Sequence, residues 1–341
     1  MFTTHEDSSM KRPDDAPGGA GAFYGPASRT GPGPIAGPIA AALVVPLVAA
    51  LIASCAPRRT PVDPVLYKKE IREWQEKRLK GLTTDTGWLT LAGLGWLTGG
   101  ENRVGGDSAN EVVTPPGKAP AYLGSIFLRD GRATFIAAPG VAVTSDGRPV
   151  TRLALESDES AEPTILRYGT LSLYVISRGG KYGVRIKDTE NPARTHFAGL
   201  EFFPIDQKYR VEATFIPYTP PKILEIPTQA GTVERDSCPG ALEFELDGTG
   251  YRLDAVIEQG TEDKLFIMFA DATSGVETYA PGRQMYTPLP DSANRVILDF
   301  NRAYNWPCVF TVFATCPLPP DQNRLPCRVE AGEKMYHGPD H

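Results

Sequence analysis

Glycine-bearing turn dipeptides partition this chain more firmly than any other signal. Asp130-Gly131, Asp146-Gly147, Gly179-Gly180 and Asp247-Gly248 each divide runs rich in β-branched and aromatic residues. Each supplies the two left-handed positions that a tight hairpin turn needs. The runs they separate predict strands at Ser125–Leu128, Ala133–Ala137, Ala142–Thr144, Ile165–Tyr168, Leu171–Ser177 and Tyr182–Lys187. Further strands are expected at Tyr209–Ile216, Ile223–Ile226, Ala241–Leu246, Tyr251–Glu258, Leu265–Ala270, Arg295–Asp299 and Val309–Ala314. With no helical runs between them, the pattern predicts an all-β, mainly antiparallel sandwich or barrel. Abundant Gly (34) and Pro (32) agree with a turn-rich fold. No period recurs along the chain, which argues against a solenoid or propeller.

One amphipathic helix is expected ahead of the strands. Asp63 and Pro64 suit an N-cap and first helical position, and VLYKKEIREWQEKRLKGL follows. Tyr67, Ile71, Trp74 and Arg78 share a stripe, Glu73 and Lys77 stand four apart, and Gly81 offers an end. Such a helix would clasp the side of a β domain. Thr219-Pro220-Pro221 suggests a joint between two β units. The expected organisation is therefore a leader over 1–55, a linker over 56–63, a helix with a first β unit over 64–218, and a second β unit over 219–336.

The N-terminus reads as an address. Residues 1–34 are rich in Gly, Pro, Ala and Ser without an apolar period. Ile35–Cys55 is an uncharged apolar run ending Ile52-Ala53-Ser54-Cys55, which looks like a bacterial lipobox with Cys55 as the lipidated residue. An uncleaved membrane helix is the alternative, since about 20 apolar residues suffice to span a bilayer; Pro38 and Pro46 weaken that helix. Either way the expectation is a membrane-anchored protein of the bacterial cell envelope, with its globular part outside the cytoplasm. A net charge of -6 with mixed signs argues against nucleic acid as a partner.

The stretches GWLTLAGLGWLTGGENRVGGDSANEVV, RGGKYGVRIKD, FPIDQKYRVEATFIPY, DATSGVETYAPGRQMY and LDFNRAYNWPCVFTVFATCPLPPDQNRLP together resemble the bacterial domain-of-unknown-function family 1684. The resemblance runs from about Trp74 to Glu333. It implies a clan and no established activity. Within the first unit, Gly99–Val113 followed by Asp146–Val150 is similar to forkhead-associated domains, which read phosphothreonine. Gly106-Asp107 stands where those domains carry Arg, Pro120–Leu123 replaces their Ser-x-x-His, and Asp146 replaces an Asn. Charge-assisted phosphate recognition is therefore not expected there.

The chain has four histidines, and His196 is the single candidate base among them. No nucleophile elbow, C-x-x-C or H-E-x-x-H occurs, so neither a serine hydrolase nor a metal site is expected, and no cofactor is implied. Of the five cysteines, Cys308 and Cys316 would close a short loop as a disulfide outside the cytoplasm. The densest polar and aromatic segment is Leu265–Glu333. There Asp271, Thr273, Tyr279, Arg283, Asp299, Asn301, Tyr304, Asn305 and Asn323 stand among aromatic residues, as in a pocket with an apolar wall and a few fixed polar groups. These nine are the candidate binding residues for an unknown small ligand. An enzyme using Asp271, Glu277 or Asp299 as paired carboxylates with Arg283 is the first alternative. A structural or partner-docking lipoprotein is the second. The same polar residues would also serve simply to satisfy buried loop backbone.

Overall fold

The structure is a computed structural model describing residues 62–258 and 260–338. The leader and Cys55 lie outside these residues. The helix Pro64–Leu82 begins as expected: Asp63 Oδ1 accepts from Val65 N at 2.7 Å and Leu66 N at 3.1 Å. It runs one residue past Gly81 and ends on Thr83, whose N–H bonds Lys80 O. Tyr67, Ile71 and Leu82 are its buried residues. Glu73 pairs with Lys69 at 3.7 Å, one turn before it, rather than with Lys77.

Three sheets follow, nearly all antiparallel. A six-stranded sheet has the order Leu91–Trp96, Lys181–Asp188, Leu171–Arg178, Leu166–Tyr168, Thr144–Ser145, Arg148–Pro149. A five-stranded sheet has the order Val112–Val113, Gly100–Gly105, Gly124–Arg129, Arg132–Ala137, Arg152–Leu155, with one parallel pair between the first two. These two sheets share a core. Val104, Ile126 and Phe135 from the second meet Leu173, Val184 and Ile186 from the first, forming a sandwich. The third sheet has seven strands: Arg295–Asp299, Arg210–Pro227, Val233–Leu246, Thr249–Ile257, Lys264–Phe269, Arg283–Pro288 and Tyr304–Asn305. It curls around its own core of Leu242, Leu253, Ile267, Phe269 and Phe300. Thr287 Oγ1 donates to Ile297 O at 2.7 Å, bringing the sixth strand of the order back to the first.

The turn dipeptides account for much of this. Asp130-Gly131, Asp146-Gly147, Gly179-Gly180 and Asp247-Gly248 all have positive φ at both residues, for example 51° and 77° at Asp247-Gly248. That is the geometry of a hairpin turn matched to strand twist.

Two expectations need correction. Val309–Ala314 is not a strand; a 3-10 turn, Pro307–Val309, leads into an irregular loop closed by the Cys308–Cys316 disulfide. Pro307 has no N–H to give a ladder, and Val312 is 85% exposed, so the apolar alternation there has no partner strand. Thr219–Pro221 is not a joint either. It lies inside the strand Arg210–Pro227, at a register shift between Pro217 and Lys222 where proline without a donor fits a bulge. The sandwich ends at Asp188, and the third sheet starts at Arg210.

Candidate functional site

Most of the polar residues singled out from sequence hold the chain together. Arg283 is 0% exposed; its Nη2 donates to Val329 O at 2.8 Å and Asp271 Oδ1 at 3.3 Å, and its Nη1 donates to Ala331 O and Glu333 O. Burial pulls its pKa below the usual arginine value, and the Asp271 charge opposes that. Asp271 also accepts from Val329 N at 2.7 Å and from the Thr273 hydroxyl at 2.9 Å. This cluster straps the C-terminal segment across the third sheet.

A second cluster seats the helix. Tyr67 OH donates to Asp299 Oδ1 at 2.7 Å and accepts from Asn301 Nδ2 at 2.9 Å. Asn301 Nδ2 also reaches Asp206 O at 2.8 Å, and burial raises the Asp299 carboxyl above its ordinary range. Asn305 Nδ2 donates to Lys334 O at 2.6 Å. Asn323 pairs with the Asp254 backbone in both directions, at 2.7 and 2.8 Å. Tyr279 OH accepts from Gln229 at 3.0 Å, and Glu277 is held by Arg328. His196 caps the short helix Pro192–Thr195 and is exposed. Apart from Asn305 Oδ1 and Arg283 Nε, which have no partner among the described residues, the buried polar atoms of these side chains are spent on one another and on loop backbone, which satisfies groups that burial would otherwise penalise.

Tyr304 is different, because it faces open space. It forms part of the wall of a cleft of about 1090 Å³ between the six-stranded sheet and the third sheet. Arg78 lies over its ring at 4.6 Å. Phe266 stands against Tyr286 at 4.8 Å and edge-on to Trp306 at 5.9 Å, giving the cleft an aromatic wall. Trp306 belongs to the segment braced by Cys308–Cys316, whose Cα atoms are 6.2 Å apart.

Charge is divided along the cleft. Glu234, Asp236 and Glu258 line one part, and burial raises the carboxyls of Glu234 and Asp236. Tyr286 OH bonds Glu258. Arg178, held by Asp158 at 2.7 Å, stands beside Glu234 at 3.6 Å. Across from them the strand Lys181–Asp188 contributes Arg185. Its Val184 and Ile186 fill the sandwich core, so the alternation of a strand turns Arg185 and Lys187 to the opposite face. Burial, then Arg185, pulls Lys187 down to about 8. The readable trace of this face was the interleaving of cations with apolar residues in Val184-Arg185-Ile186-Lys187. Among the described residues no three His, Cys, Asp or Glu side chains are arranged to hold a metal ion.

A family model described as "Protein of unknown function (DUF1684)" matches residues 195–334, which include the third sheet and the C-terminal strap. The solution NMR structure of an uncharacterized protein from Haloarcula marismortui is 33% identical, covering 41% of this chain and 78% of that one, with a TM-score of 0.35. Mycobacterium tuberculosis EmbR in complex with a low affinity phosphopeptide is 12% identical, covering 38% of this chain and 32% of that one, with a TM-score of 0.20. No curated protein matches.

Proposed function

Because the chain belongs, through residues 195–334, to the DUF1684 family, whose description assigns no chemistry, we propose its function from geometry: it binds a small polar ligand in the cleft between the six-stranded and seven-stranded sheets. The observation that carries this reading is the cleft itself, about 1090 Å³, with Trp88, Phe266, Tyr286, Tyr304 and Trp306 on its walls and charged groups among them. Concave sites of roughly 300–1,000 Å³ with apolar walls and a few polar groups are where small molecules are held. Asp271 and Glu277 are held by Arg283 and Arg328 respectively, which leaves little support for an acid/base pair built on them. The apolar run ending at Cys55 supports attachment to the cell envelope, with the binding cleft presented outside the cytoplasm.

Ligand-dependent melting of the full-length chain tests the binding. Compounds that raise the Tm of the wild-type chain should lose most of that effect in Trp88→Ala and Tyr304→Ala and keep it in Arg283→Ala. Hits that stabilise all variants equally would place the site elsewhere.

A further inference from the structure

Two buried arginines in this fold each leave Nε without a partner among the described residues, but only one has its charge matched. Arg283 is surrounded by a carboxylate and backbone carbonyls. Arg185 is 4% exposed and lines the cleft, yet its hydrogen bonds are two long ones to neutral hydroxyls. Nη1 lies 3.5 Å from Tyr174 OH and Nη2 lies 3.4 Å from Thr315 Oγ1, and the buried Nε has no partner among the described residues. No acidic side chain among the described residues pairs with it. A guanidinium taken out of water without a counter-charge is costly, and such a group calls for a reason.

The same cleft holds a second unspent donor. Trp306 is 2% exposed, and its Nε1–H is buried without a partner. Thr315, which touches Arg185, precedes Cys316, and the disulfide from Cys316 returns to Cys308, two residues after Trp306. Trp88 covers the cations from one side, its ring 5.2 Å from Arg185 and 5.7 Å from Lys187. The Arg185 guanidinium, an orphaned indole donor and a hydroxyl thus gather around one part of the cleft.

We propose that this part of the cleft seats an oxyanion of the ligand, a carboxylate or phosphate group that accepts from the Arg185 guanidinium and from Trp306 Nε1–H. The planar fork of arginine matches the oxygens of either group. The inference rests on the cleft being the binding site and adds the charge of what enters it. Glu234, Asp236 and Glu258, lining the same cleft, disfavour a second anionic group on the same ligand.

Sodium phosphate and sodium acetate, each titrated at constant ionic strength into the full-length chain labelled on tryptophan nitrogen, test this by NMR. The Trp306 indole resonance is assigned by its loss in Trp306→Phe. At least one anion should move it saturably while Trp96 stays still, and Arg185→Met should weaken that response by about tenfold or more, the loss expected for a charge-assisted hydrogen bond. A response to phosphate alone assigns a phosphate group, and one to acetate alone a carboxylate. A Trp306 resonance indifferent to both anions, or one that responds equally in Arg185→Met, overturns the proposal. If Arg185→Met does not fold, the anion-induced Tm shift in Trp306→Phe decides: a reduced shift supports the seat, and an unchanged one removes it. A neutral compound that stabilises the chain through Trp88 while neither anion acts would leave the cleft standing and remove only the anion seat.

Discussion

At the scale of single residues, the same side-chain type does different work according to what surrounds it. Arg283 is a structural tether, because its charge is matched by Asp271 and its Nη donors by carbonyls of Val329, Ala331 and Glu333. Arg283→Ala strands Asp271 as a buried charge and should cost about 3–5 kcal/mol of stability in urea unfolding, as breaking a buried pair does. A loss under about 1 kcal/mol would mean that the cluster is no tether. Lys187 titrates in the opposite sense to a paired lysine. Its pKa falls from 10.5 to about 8, so between those values the unfolded chain holds a proton that the folded chain has released. Stability should therefore rise with pH across that window and be lost as pH falls through about 8. Unfolding midpoints in a pH series should show this slope in the wild-type chain and a flatter one in Lys187→Met. Equal slopes would remove Lys187 as its source. Glu234 and Asp236, raised by burial, act the other way: their contribution is lost as pH rises through their raised values.

At the scale of elements, hairpins were legible because a turn's backbone is decided within a dipeptide. Positive φ at both residues of Asp247-Gly248 is a local preference, and the flanking strands simply continue from it. Val309–Ala314 shows where that logic stops. Its apolar residues alternate like a strand, but a proline before it and a disulfide across it leave no edge to pair with. The helix Pro64–Leu82 was legible from its cap and stripe, while its seat was not, since Tyr67 meets Asp299 and Asn301 far along the chain. Tyr67→Phe removes a donor from one and an acceptor from the other. It should destabilise the protein by about 1–3 kcal/mol, the cost of leaving buried polar groups unpaired. Unchanged stability in chemical denaturation would show that these two hydrogen bonds do not hold the helix, leaving Arg78 on Glu333 and the apolar contacts to do so.

At the scale of the whole molecule, the cleft exists only because the sandwich and the curled sheet lie side by side. Its walls come from Trp88, from the strand Lys181–Asp188 and from the third sheet with its disulfide-braced loop. The leader bears on where such a cleft would operate. If Cys55 is lipidated, mass spectrometry of protein from bacterial membranes should find a mature N-terminus at Cys55 carrying acyl groups, and Cys55→Ser should release the chain from them. An uncut leader with an unmodified cysteine would instead favour an apolar anchor. Among the described residues no helix is long and apolar enough to cross a membrane, so anchoring by a helix would have to come from the leader.

Sequence by itself determined the all-β, mainly antiparallel class, the hairpin turns and the capped helix, because φ preference, side-chain alternation and capping act over a few neighbouring residues. Tertiary structure alone decided which polar groups are spent and which are left over. Asn301, Asn323 and Arg283 looked like pocket residues until their partners arrived from elsewhere in the chain. Arg185 looked like one more strand residue until folding set it beside Thr315, 130 positions away, with no carboxylate from the described residues to pair with it. Hydrogen-bond satisfaction is a property of neighbours in space, and here it separates the side chains that hold the protein together from those still able to hold something else.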